Sequence, residues 1–92
     1  MNRGDVEKAL NDVIDILASI EHDRWSHWQR YVHNHATMQA DGALLIPRDL
    51  VTRWEKQMNT RFDGLSEAEK ESDRDQVRKY LSVIASALSD HT

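Results

Sequence analysis

Apolar residues recur at helical spacing through the first third of the chain, where residues 5 to about 33 include neither Gly nor Pro. The apolar positions are Val6, Ala9, Leu10, Val13, Ile14, Leu17 and Ile20. Steps of three and four residues are typical of an amphipathic α-helix, and Asp5 can cap its first turn. The pattern predicts one long first helix, with no defined end before the turn signal of Asp41 and Gly42.

Two further helices are predicted. Pro47 suits the first turn of a helix from Arg48 to about Asn59. Ser66 and Glu69 have the spacing of a capping box, which predicts a third helix from Glu67 to about Ser89. The apolar run of residues 43–46 has no evident partner strand and is expected to be a packed loop. The prediction is an all-α fold, a small three-helix bundle with a long N-terminal helix, in a single domain of residues 1–92.

Composition narrows the class of protein. Of the 92 residues, 39% are hydrophobic and 30% charged, and none is cysteine. These values predict a soluble chain without disulfides or membrane spans, and we expect it in the cytoplasm. The formal net charge of −4 argues against duplex nucleic acid as a partner, because duplex binding needs several cations on one surface.

Charged residues interrupt the apolar stripes of two helices. Arg24 lies in line with the core positions of the first helix. Lys70, Asp73 and Arg74 continue the apolar face of the third. A pair of Arg24 with Asp73 or Glu69 could fix the helix register.

The same charges can also form a ligand site. The cations outnumber Asp73, and His22, Trp25 and Trp28 lie near Arg24 in the sequence. This combination suits an anionic ligand with a flat ring, whose phosphate would meet the cations while its ring stacks on an indole. The two interpretations are compatible, since a structural ion pair can form the floor of a pocket.

Two segments resemble the ryanodine-receptor repeat (RyR) domain, in its small bacterial and phage forms. Residues 21–25 read Glu-His-Asp-Arg-Trp, similar to the family's His-x-Arg-Trp element. Residues 65–77 are similar to its Leu-Ser-Glu-x-Glu-Lys-x-x-Asp-Arg-x-x-Val element. The resemblance covers about residues 20–85, differs from the family in the middle segment of residues 32–64, and leaves residues 1–19 as an extension of the first helix.

The resemblance implies a non-enzymatic module that binds a small nucleotide-derived ligand, in a phage or prophage protein that could sequester a defence signal. It assigns binding roles to His22, Arg24 and Trp25 in the first segment. In the second segment it assigns them to Lys70, Asp73 and Arg74. Trp28 is added on the residue pattern alone, as a candidate wall of the pocket.

Neither a metal site nor an enzyme is predicted. The spacing of His22, His27, His33 and His35 does not place the four rings on one helical face, so no metal or other cofactor is expected. The acidic residues run around the third helix rather than pairing across a cleft, and no nucleophile with a base is evident.

The N-terminal stripe predicts self-association. Two short helices can cover only part of it, and an uncovered apolar strip usually marks a partner surface. We therefore expect a homo-oligomer whose contact residues are Val6, Leu10, Val13 and Leu17. The alternative function is thus a homo-oligomeric protein–protein interaction adaptor with no small-molecule ligand.

Overall fold

The computed structural model describes residues 1–89, so the last three residues of the predicted domain lie outside it. Its four helices are α1 (Arg3–Asp12), α2 (Ile14–His35), α3 (Arg48–Met58) and α4 (Glu67–Ser89). A two-stranded hairpin, β1 (Thr37–Met38) and β2 (Leu44–Leu45), separates α2 from α3, and a 3₁₀ turn spans Phe62–Gly64. The predicted all-α class is confirmed.

The predicted long first helix is divided at Val13, which corrects the prediction of an uninterrupted helix. The Val13 backbone, at φ −108° and ψ 14°, leaves the helical region, and its N–H donates to the Leu10 carbonyl at 3.2 Å. The first cap also differs from the prediction. Asn2 is the N-cap, its side chain accepts the Asp5 N–H at 2.9 Å, and Asp5 completes the capping box by accepting the Asn2 N–H.

The apolar run after Gly42 is not the packed loop that was expected. Leu44 and Leu45 pair antiparallel with Met38 and Thr37, respectively. Gly42 adopts φ +88°, a conformation that disfavours residues with a Cβ, and its N–H donates to the Gln39 carbonyl at 3.0 Å. The partner strand was missed because it is only two residues long.

The two later helices begin where their caps predict. Helix α3 follows Pro47 directly, and α4 begins after Ser66. The Ser66 hydroxyl accepts the Glu69 N–H at 3.2 Å, while the Glu69 carboxylate accepts the Ser66 N–H at 3.1 Å. This reciprocal pair is the predicted capping box.

Helices α1 and α2 both pack on α4, and their contacts bury little side-chain surface. Among the described residues, Ala9 of α1 is fully buried, and Ala87 of α4 and Leu50 of α3 are nearly so. Ring contact between Tyr31 and Trp54, with centroids 6.1 Å apart, connects α2 with α3. The chain measures 56 × 33 × 17 Å, so the helices form a flat, elongated assembly rather than a sphere.

Within residues 1–89, no helix combines the length and the apolar composition that crossing a membrane requires.

Candidate functional site

Arg24 connects to Tyr80 of α4 through the Glu21 carboxylate rather than through the predicted partners. Its guanidinium donates to the Glu21 carboxylate, with Nε 3.2 Å from Oε2, and the Tyr80 hydroxyl donates to the same carboxylate from α4. The expected register pair of Arg24 with Asp73 or Glu69 is therefore corrected: Arg24 pairs with Glu21, and Glu69 caps α4. This cluster ties α2 to α4.

The pKa shifts in this cluster follow from its hydrogen bonds. Donation by Arg24, and then by Tyr80, lowers the pKa of the Glu21 carboxyl because both bonds favour its ionised form. The neighbouring Glu21 carboxylate raises the pKa of the Tyr80 hydroxyl. The Arg24 side chain is still 41% exposed, so the cluster lies at the surface rather than in a dry core.

The predicted cations at the start of α4 are paired with carboxylates of the same helix. Lys70 Nζ lies 3.5 Å from Glu67, and the Arg74 guanidinium lies 3.5 Å from Glu67 and 3.3 Å from Glu71. Arg78, and then Arg74, lower the pKa of the Glu71 carboxyl by hydrogen bonding to it. Within one chain, these partners offset the surplus of positive charge on which the predicted anion site was based.

An open groove of about 350 Å³ lies between α4 and the 3₁₀ turn. We call it the Phe62 groove, and its walls are mostly apolar. Lys70 Nζ lies 5.9 Å and Arg74 Cζ 5.7 Å from the centroid of the Phe62 ring. The lining residues are Phe62, Asp73, Arg74, Val77, Arg78 and Leu81. The groove thus contains Asp73 and Arg74 of the predicted site, with Lys70 at the Phe62 ring.

The aromatic residues of the predicted site lie along α2. His22 stacks on Trp25, with centroids 6.2 Å apart and an interplanar angle of 23°. Trp25 also borders an open groove of about 390 Å³, lined by both polar and apolar atoms, that includes Arg30 and His33. Trp28 packs edge-on against Tyr31 at 5.7 Å. These rings therefore contact neighbours of their own helix.

The structure does not join the two halves of the predicted site into one pocket. In the described part of the chain, no hydrogen bond, ion pair or ring contact connects the α2 residues of the site with those of α4. The Arg24 cluster meets α4 at Tyr80, six residues beyond Arg74 and so about 9 Å farther along the helix axis. A single ligand site that uses both halves stays a prediction.

Glu21 was not predicted as the partner of Arg24, and Val77 and Leu81 were not predicted to lie beside Phe62. The sequence did contain a signal for the pair of Glu21 and Arg24, because residues three apart on a helix are neighbours. The sequence contains no signal for the contact of Phe62 with Val77 and Leu81, because the position of the 3₁₀ turn against α4 depends on tertiary contact. No three His, Asp or Glu side chains in residues 1–89 converge closely enough to hold a metal ion.

Comparison of the chain with protein-family models, with curated proteins and with solved structures found no match. The RyR-like resemblance of the two segments therefore stays a prediction.

Proposed function

We propose that the chain is a non-enzymatic interaction module that works as a homo-oligomer. The supporting observation is the size of its surface. Its accessible area is 7339 Å², whereas a folded monomer of 10.7 kDa exposes about 5,500 Å². Its radius of gyration is 18.3 Å, whereas a compact domain of this length has about 12 Å. One chain alone therefore leaves a surplus of roughly 1,800 Å² in contact with water.

The exposed surface is rich in large apolar side chains. At least fourteen are exposed in the described residues, among them Trp25 at 57%, Met38 at 74% and Met58 at 70%. A standard protein–protein interface buries about 800 Å² on each partner. The surplus area is thus large enough for an interface of this kind, and its apolar part favours association over exposure to water.

Sedimentation velocity and light scattering over a range of micromolar concentrations test this proposal. The expected result is a mass of at least twice 10.7 kDa, with a concentration-dependent monomer fraction. Small-angle scattering on the same samples supplies a second readout of size. A mass of 10.7 kDa at every concentration would refute the proposal.

We also propose a cytoplasmic location, since a chain without cysteine does not depend on disulfides.

A second candidate function is the binding of a small anionic ligand with a flat ring. It is favoured by the exposed Phe62 ring, which has Lys70 and Arg74 on its face. The carboxylate partners Glu67 and Glu71 are exposed, and exposed ion pairs contribute little stability, so a ligand phosphate can compete for the cations. The resemblance extends this candidate to a nucleotide-derived signal that a phage or prophage protein sequesters.

Native mass spectrometry of the freshly purified protein tests the ligand candidate by reporting any co-purified small molecule. Thermal shifts with cyclic and ADP-ribose-type nucleotides follow, on the wild type and on Lys70→Ala with Arg74→Ala. Lys79→Ala is the matched control, because Lys79 lies on the same helix and its ammonium group donates to the Gln76 side chain at 3.4 Å rather than to a carboxylate. A shift that the double variant loses and the control keeps supports the candidate. No shift at millimolar nucleotide would exclude it.

A further inference from the structure

We infer that a second copy of the chain covers the apolar strip formed by Phe62, Val77 and Leu81, in a two-fold symmetric dimer. This inference rests on the proposed self-association and names the surface that carries it. The three side chains line one groove and are about half exposed, at 49%, 52% and 53% respectively.

The strip is open because the apolar arc of α4 is wider than the surface that α1 and α2 cover. Tyr80 meets α2, and the buried Ala87 lies on the same side of the helix. At 100° per residue, Val77 is turned about 60° from Tyr80 and about 80° from Ala87. Leu81 is one turn beyond Val77 and adjoins the same open side. The apolar arc therefore continues past the covered side of the helix into the Phe62 groove.

The area and the charge pattern both fit a second copy as the occupant. The surplus of roughly 1,800 Å² belongs to the whole chain, of which the strip is one part, and it exceeds the approximately 800 Å² that each partner of a standard dimer buries. In a two-fold contact each surface meets itself, so a flank of one charge sign would repel. The flank of this strip has both signs, because Arg74 and Arg78 alternate with Glu71 and Asp75. Such a flank can complement its own copy.

A two-fold axis perpendicular to α4 would set the two copies of this helix antiparallel. Val77 of one chain would then lie opposite the partner's Leu81. By symmetry, Leu81 of the first chain would lie opposite the partner's Val77. Each apolar side chain is thereby removed from water by the other chain. The two Val77 positions would be offset by only about 6 Å along the helix axis, within reach of a short cross-linker.

The test is sedimentation velocity on Leu81→Asp and Val77→Asp, with Ser82→Asp as the matched control. Ser82 is exposed and adjoins Leu81 in the sequence but points away from the strip. We expect the two strip variants to weaken association at least about tenfold, because an ionised carboxylate would be placed in apolar contact. The control should associate like the wild type. Helicity measured by circular dichroism verifies that each variant is folded.

Two further variants separate this surface from the N-terminal stripe. Leu10→Asp tests the stripe predicted from the sequence. Val77→Cys and Ile16→Cys each introduce the only thiol of the chain, so a bismaleimide cross-link has one possible origin. A covalent dimer with Val77→Cys but not with Ile16→Cys supports the strip even if the Asp variants do not fold.

Three outcomes would overturn the inference, and they differ in what else they change. A wild-type dimer that Leu81→Asp and Val77→Asp leave intact overturns the strip while self-association stands. A dimer lost only with Leu10→Asp moves the interface to the N-terminal stripe. A wild type that is monomeric at all concentrations overturns the proposed function as well.

Discussion

Replacing Ala9 with Leu tests the close approach of α1 to α4. Ala9 has no exposed surface, so the three added carbon atoms have no free space beside it. Inserting extra methylene groups into a packed site costs about 1–3 kcal/mol. If the helices could separate freely, burial of the added groups would instead stabilise the fold by about 0.8 kcal/mol each. A difference in helix propensity would not account for the result, because Ala and Leu have similar helix propensities.

Urea unfolding followed by tryptophan fluorescence measures the change. All samples need the same protein concentration, because self-association makes the midpoint concentration-dependent. With a slope of about 1–2 kcal/mol per molar urea, we expect Ala9→Leu to lower the midpoint by about 1 M. Ala18→Leu is the control, since Ala18 is exposed on α2 and should unfold like the wild type. An Ala9→Leu midpoint equal to or above the wild-type value would refute tight packing at this position.

Three more predictions concern single features of the fold. Arg24, and then Tyr80, lower the pKa of the Glu21 carboxyl, so the cluster should lose stability as pH falls below the ordinary Glu value of 4.5. Glu21 raises the pKa of the Tyr80 hydroxyl above 10.0, so the cluster should also lose stability as pH rises beyond that value. Tyr80→Phe should flatten the alkaline side of a plot of thermal midpoint against pH, and an unchanged profile would contradict the assignment. Gly42→Ala should destabilise the fold by about 1 kcal/mol in thermal unfolding, because the φ of +88° at Gly42 disfavours residues with a Cβ. Gly42→Asn should destabilise it less, because Asn tolerates positive φ better than Ala does. Equal effects of Ala and Asn would contradict the role of φ. Ser66→Ala should cost about 1 kcal/mol by removing the cap of α4, and Ser72→Ala, inside the same helix, serves as its control.

The elements that could be predicted from the sequence are those whose signals are local. Pro47 and the capping box at Ser66 define the starts of α3 and α4 through neighbouring backbone groups. The interruption at Val13 has no such signal, because neither Gly nor Pro marks it. The hairpin was missed for a related reason: Thr37 and Met38 are too few to show alternation. Their partners, Leu45 and Leu44, lie eight and six positions away, respectively.

The candidate site shows how far periodicity can be used. Helical periodicity placed Arg24 in line with the core positions of α2. In the structure, Arg24 and Glu21 lie beside Tyr80 of α4. Periodicity could not identify the partner, because a helical stripe specifies a direction and not the side chain that will be met there. The surplus of cations was inferred by treating Glu67 and Glu71 as solvated. In the structure both pair with cations one or two turns away on the same helix.

The N-terminal apolar stripe predicted an oligomer with contact residues Val6, Leu10, Val13 and Leu17, and that interface stays a prediction. Within one chain, Val6 and Leu10 are already partly buried. The most buried positions of α1 and α4 are alanines, which allow two backbones to approach while burying little side-chain area. A contact of this kind covers a narrow arc of each helix, so the remaining arc of α4 at Val77 and Leu81 stays in water. Small residues at the buried positions of α1 and α4 are thus one physical cause of the surplus surface, which a second copy would cover under the proposed self-association.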